Sequence, residues 1–170
     1  LNQRVDLAPV HAMHILKAIV QEASLAHAVL PYVSQAAEEA LKGLCSEHWA
    51  VRNAATQLFG SLMMRILGQK KSQECSTVQE FISLHSALWR ALLLLLQQHH
   101  STSSLLHPSL FPALAILSRL SPGVASAHVQ EQLSSVRALV LPLANSPMLA
   151  VRHLAAEALV SLVPSSEAIQ

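Results

Sequence analysis

Apolar residues recur along this chain at the three- and four-residue spacing of helices, and no stretch alternates at the two-residue spacing of a strand. After Pro9, a residue suited to opening a helix, "VHAMHILKAIVQEAS" sets Val10, Met13 with His14, and Ala18 on one side of a first helix. Leu25 to Leu30 predicts a short helical turn that Pro31 ends or kinks, because proline lacks the N–H a helix interior needs. "YVSQAAEEALKGLC" then places Val33, Ala37, Ala40, Leu41 and Leu44 on one face, with Glu38 and Glu39 outward beside Lys42. From Val51, the next arc holds Ala54, Ala55, Leu58, Phe59, Leu62 and Ile66, while Asn53, Gln57, Gly60 and Met64 fall opposite.

That last helix is laid down twice. "WAVRNAATQLFGSL" from Trp49 and "LAVRHLAAEALVSL" from Leu149 align without a gap and share Ala50/Ala150, Val51/Val151, Arg52/Arg152, Ala55/Ala155, Ser61/Ser161 and Leu62/Leu162. The second arc is Val151, Leu154, Ala155, Ala158, Leu159 and Leu162, with His153, Glu157 and Val160 opposite. Large and small residues alternate in both, which lets neighbouring helices approach closely and serves no reaction. Breaks precede both copies, "CSEH" and "ANSPM", in which Ser46 and Ser146 are predicted N-caps. Between them lie a polar break "GQKKSQECS", helix over Thr77 to Gln98 in two pieces, a Ser-rich loop over His99 to Ser109, and a stop at "SPG", after which "VQEQLSSVRALVLPLA" partners the last helix.

Helix pairs recurring at tens of residues predict an all-α fold, an α-solenoid. A separation of one hundred residues holds two and a half repeats of about 40, so the pair between Phe81 and Leu120 is expected to be irregular or enlarged. The whole of 1–170 reads as one solenoid segment, with a first helical region at 9–71 and continuing repeats at 77–170.

Composition adds one point. Hydrophobic residues make up 52 % of the 170 and charged ones 12 %, against about 25 % charged in an average domain. Much of the surface is therefore expected to be covered, and the chain, opening at Leu1 and closing on "PSSEAIQ", reads as a segment of a larger protein. "ALLLLL" at 91–96 is far too short to span a bilayer, and no signal peptide is expected. A net charge of +1 supplies no bulk attraction to nucleic acid or anionic lipid. Cys45 and Cys75 lack metal or disulfide-framework spacing and suit reduced thiols in the cytoplasm.

Candidate chemistry is sparse. Arg52, Arg65, Lys70 and Lys71 form the best local basic group, a candidate contact for RNA or a partner; the competing reading is a solvated helix end favoured by its dipole. His11 and His14 stand at i, i+3, yet no third ligand lies near in sequence, and His99, His100 and His107 fall in the Ser-rich stretch, so no metal site is expected. No Gly-flanked nucleophile appears, and four scattered glycines cannot build a cofactor turn, so neither catalysis nor a cofactor is expected. Trp49 and Trp89 are candidate interface anchors, with packing between repeats the favoured reading for each.

"AVRNAA" and "AVRHLAA" resemble the start of the second helix of HEAT repeats, though the Asp usual in the preceding turn is missing. More specifically, "HAMHILKA", "LPYV" and "WAVRNAATQLFGSLMMRILGQKK", in that order across Pro9 to Lys71, resemble the thyroid adenoma-associated protein family. The resemblance implies a large helical-repeat protein acting as accessory subunit to a separate FtsJ-type methyltransferase that adds a 2'-O-methyl group in the tRNA anticodon loop. The Arg-Arg-Ser-Ala-Gly signature linked to that activity is absent from this sequence. The expected function is thus a non-catalytic scaffold segment with tRNA and the methyltransferase as partners. The alternative is a general protein–protein interaction scaffold with no RNA role.

Overall fold

A computed structural model describes residues 7–67, 76–102 and 110–163. Lys70, Lys71, Cys75 and His107, singled out above, lie outside the described residues, as does most of the Ser-rich stretch. The described secondary structure is helical apart from one isolated bridge, Thr77 to Ser121, and the fold is all-α and solenoid-like. The chain divides into two compact units, 1–69 and 70–170.

In the first unit, α1 (Leu7–Gln21) leads through a 3-10 turn to α2 (Ala26–Val29) and a second 3-10 turn, Leu30–Tyr32, that continues into α3 (Val33–Leu44). Pro31 sits in the first turn of that second 3-10 stretch. Its ring and missing N–H disrupt regular α-bonding there, and the chain bends rather than stops. The residues 45–48 turn the chain back into α4 (Trp49–Leu67), which packs on both α3 and α1.

The buried set on α4 is Val51, Ala54, Ala55, Leu58, Phe59, Leu62, Met63 and Ile66, the predicted arc with Met63 added at its edge. It meets Val33, Ala37, Ala40, Leu41 and Leu44 of α3, the face the spacing predicts. The three helices meet closely at Gly43. A Cβ placed there would stand 2.7 Å from Met13 Cε on α1 and 2.9 Å from Ala55 Cβ on α4.

The predicted inward face of α1 needs correction. Val20 is buried and Val10, Met13 and Lys17 are half-buried, whereas His14 and Ala18 are exposed. The helix is apolar on both sides, so periodicity alone does not choose the side that packs. Lys17 Nζ donates to Gln57 Oε1 at 2.8 Å and Gln21 Nε2 donates to Ser61 Oγ at 3.0 Å, both pairs 40 residues apart. Two contacts advancing together along both helices make α1 and α4 parallel neighbours in a 40-residue register.

The second unit repeats the logic. A seven-residue helix, α5 (Val78–Leu84), opens with a capping box: Glu80 N donates to Thr77 Oγ1 at 3.2 Å and Thr77 N donates to Glu80 Oε2 at 2.9 Å. It breaks at His85, as the two-piece prediction has it, and α6 (Ser86–Thr102) follows. The helix continues through His99 and His100, where a loop is predicted; Ser, Thr and His lower helix propensity without breaking a helix, and no proline intervenes before Pro108. Next come α7 (Leu110–Leu117), α8 (Ala127–Val140), a 3-10 turn at Leu141–Asn145 with Pro142 near its start, and α9 (Leu149–Leu162). The helix α6 packs on α7 and α8, and α9 packs on α7 and α8. Trp89 Nε1 donates to Gln132 Oε1 at 2.9 Å, joining α6 to α8 across 43 residues. Between the two copies of the repeated helix, α5, α6 and α7 are described with 7, 17 and 8 residues.

Candidate functional site

The four basic candidates divide into two that the structure describes and two outside it. Arg52 lies one turn into α4, and its guanidinium bends back over the preceding turn. Its Nη1 donates to the carbonyls of Ser46 at 2.8 Å and Glu47 at 2.7 Å. Arg152 does the same in the second copy, Nη1 reaching Ser146 O at 2.8 Å and Pro147 O at 3.1 Å. In both copies the arginine fastens the turn that joins its own helix pair, in the place where an acidic side chain is missing.

The serines of these turns need a matching correction. Ser46 Oγ accepts from His48 N at 3.2 Å and Ser146 Oγ from Met148 N at 3.3 Å, two residues on and ahead of the helix. The N-cap position belongs to His48 and Met148, whose carbonyls accept from Arg52 N and Arg152 N at 3.1 Å each. The hydroxyls tighten the turn instead of capping the helix, a common alternative for serine.

Arg65, at the far end of α4, donates from Nε to Val20 O at 2.7 Å and from Nη2 to Glu22 O at 3.0 Å. Carbonyls in the last turn of a helix lack intrahelical partners, and a cation there also meets the negative end of the dipole. The Glu22 carboxyl is held below its usual range, chiefly by the Ser24 N–H, with the Ser24 hydroxyl next and the Arg65 charge a minor contributor. Arg52 and Arg65 stand 13 positions apart on α4, about 20 Å at 1.5 Å per residue. The structure therefore does not bring these two together, and each engages main-chain carbonyls.

The two tryptophans part company. Trp89 is 2 % exposed, edge-on to Phe81 with centroids 6.4 Å apart, and is packed as expected. Trp49 is 70 % exposed, which corrects the packing prediction for it, and Leu149 at the matching place is 71 % exposed. The signal was present: at 100° per residue, position 49 lies roughly opposite the arc that starts at Val51. The row Lys17, Gln21, Gln57 and Ser61 is a feature the sequence reading missed, since its members differ between the two helices. His11 and His14 are exposed, and among the described residues no group of three His, Cys, Asp or Glu is placed to hold a metal ion. Nor is any helix among them long and apolar enough to cross a membrane.

One titrating group sits in the packed layer. His85, half-buried at the junction of α5 and α6, lies 5.3 Å from Phe81 between ring centroids, and burial pushes its pKa below the ordinary histidine value. The unfolded chain then binds more protons than the folded one between the two values, so stability rises with pH through that window and is lost as pH falls through it. Thermal unfolding at pH 5 and pH 7.5 checks this. His85→Gln should reduce the difference between the two midpoints, and an unchanged difference would refute the assignment.

The family profile described as "Trm732, C-terminal TPR repeats" matches residues 52–170, and "THADA/TRM732, DUF2428" matches residues 2–50. The two meet within the first turn of α4, so the Arg52 clamp joins residues on either side of that boundary. The tRNA (32-2'-O)-methyltransferase regulator THADA of Mus musculus is 35 % identical over 170 residues, covering 91 % of this chain and 9 % of its own length. The Homo sapiens protein of that description is 34 % identical over 170 residues with the same coverage. The regulator trm732 of Schizosaccharomyces pombe is 30 % identical over 178 residues, 95 % of this chain and 12 % of its own. The chain thus spans about a tenth of the length of the curated relatives it matches. No solved structure matches it.

Proposed function

The chain belongs to the Trm732/THADA family, and from that premise we propose that it is a non-catalytic scaffold segment supporting 2'-O-ribose methylation of the tRNA anticodon loop by a separate FtsJ-type methyltransferase, in the cytoplasm. The observation that carries this reading is the description of relatives on two sides of a wide divergence, mouse and fission yeast, as regulators of a tRNA (32-2'-O)-methyltransferase, matched over more than nine-tenths of this chain. A regulator without chemistry of its own acts by position. Holding two reactants in productive geometry lowers a barrier by several kcal/mol, so stacked helix pairs that hold tRNA and enzyme together are enough to be essential. In this reading residues 1–170 form one solenoid segment, comprising 9–71 and 77–170. The 40-residue register of α1 and α4 supports a HEAT/armadillo-like pair, since a tetratricopeptide unit repeats at 34.

The proposed contact group remains Arg52, Arg65, Lys70 and Lys71, but its members call for different tests. Reversing Arg52 or Arg65 removes a clamp as well as a charge, so Lys70→Glu/Lys71→Glu is the cleaner probe. In cells lacking the full-length protein, re-supply of wild type is expected to restore anticodon-loop 2'-O-methylation, and equally abundant Lys70→Glu/Lys71→Glu to restore it several-fold less, as for lost phosphate contacts. Equal restoration removes the two lysines from the contact surface. Methylation unaffected by loss of the protein ends the regulator reading. A second reading, a protein–protein scaffold with no RNA role, draws support from Trp49 and Leu149, exposed at matched places as aromatic and aliphatic anchors. Salt separates the two, since RNA binding weakens steeply as salt rises and apolar docking does not.

A further inference from the structure

The helix α1 carries apolar residues on two opposite faces, and one of them is uncovered. At 100° per residue, Ala8, Ala12, Ile15 and Ile19 fall within about 60° of one another, and all four are exposed, Ile15 by 60 % and Ile19 by 37 %. Leu16, 38 % exposed, flanks them. Val10, Met13, Lys17 and Val20, which face α3 and α4, lie on the opposite side. None of those five exposed residues is charged or polar, whereas a solvent-facing helix surface normally is.

The 40-residue register says what covers such a face. Carried forward by 40, Ile15 and Ile19 fall on Ala55 and Phe59 of α4, which are 0 % and 8 % exposed, whereas Ala8, Ala12 and Leu16 fall on His48, Arg52 and Thr56, so the matched part of the face is its Ile15/Ile19 end. Ala55 is the residue that Gly43 of α3 approaches. The helix that covers this face of α4 is therefore the one just before it in the chain, returned by the short turn at 45–48. We propose that the Ile15/Ile19 face of α1 seats an amphipathic helix of the same polypeptide, encoded just ahead of Leu1 and packed on α1 as α3 packs on α4. Its contact stripe carries small and aliphatic residues at three- and four-residue spacing, as Val33, Ala37, Ala40, Leu41 and Leu44 do in α3. Relatives of which this chain spans 9 % have most of their length outside the matched region. The inference stands independently of any role in tRNA methylation.

Replacing Ile15 with the photoreactive residue p-benzoylphenylalanine in the full-length polypeptide tests it. The expected result is an intrachain crosslink to a segment within about 40 residues ahead of Leu1, one repeat length. A crosslink to a second copy, recognised by mixing isotopically labelled and unlabelled protein, overturns the proposal, as does a crosslink to another protein or none at all. Hydrogen exchange on the unsubstituted full-length protein gives an independent reading. Amides of α1 protected on both faces agree with a seated helix, and rapid exchange along 12–19 overturns it.

Discussion

Gly43→Val is expected to destabilise the first unit by about 2 kcal/mol, within the range for overpacked cores. The Cβ would come to 2.7 Å from Met13 Cε and 2.9 Å from Ala55 Cβ, closer than carbon atoms tolerate. Met13 is the flexible end of an unbranched side chain and swings aside at small cost. Ala55 is fixed to the backbone of α4, so relief there requires α3 and α4 to separate, which loosens Leu58 and Leu62, both 0 % exposed. The gain in helix propensity on leaving glycine, a few tenths of a kcal/mol for valine, is too small to offset this. Gly60 supplies the control on the neighbouring helix. Nothing lies within 4 Å of a Cβ added there, and Gly60→Ala should stabilise by about 0.5–1 kcal/mol. Urea unfolding midpoints of the two variants should move in opposite directions at an unchanged slope. A Gly43→Val protein as stable as wild type would mean that the three helices do not meet as closely as described.

Arg152→Met and Arg52→Met form the second test, each expected to cost about 1–2 kcal/mol. Hydrogen bonds from a charged donor contribute about 1.5–3 kcal/mol, and the lower part of the range applies because Glu47 O and Pro147 O receive their bonds at the exposed surface. Methionine keeps much of the apolar stem, so the loss reports the guanidinium. Lysine should recover only part, since one ammonium on a flexible stem lacks the planar fork. Similar losses at the two positions would confirm that the repeated Val-Arg pair is a turn fastening. A loss at Arg152 with none at Arg52 would mean that Arg52 is held for another purpose, contact with a partner foremost.

How far these features were legible in the sequence varies from helix to helix. The inward arc of α4 could be read because its large apolar residues gather on one side, Met64 apart; on α9 the same reading holds for Val151, Ala155, Ala158 and Leu162, whereas Leu154 and Leu159 are only half-buried and Ser161 takes a buried place the pattern does not predict. On α1 both sides are apolar, and which one meets α3 and α4 depends on where those helices lie. The exposure of Trp49 was readable from its angle to Val51, but residue type suggested the opposite. The partners of Arg52, Arg65 and Arg152 had no such signature, since main-chain carbonyls are present at every position whatever the side chain. The 40-residue register was hidden for a related reason: Lys17 with Gln57 and Gln21 with Ser61 are chemical complements, which no search for identical residues detects.

The clamp bears on how such repeats can diverge. An arginine that paired with a carboxylate on the next repeat would tie two sequence positions together, and loss of either would strand the other. Arg52 and Arg152 close on the carbonyls of their own turns, which persist through every substitution that leaves the backbone path intact. Each helix pair can therefore change its side chains without waiting for a compensating change in its neighbour. The "AVRNAA" and "AVRHLAA" pairs can stay recognisable while nearly everything around them drifts, including the turn residues Glu47 and Pro147 that the two arginines hold.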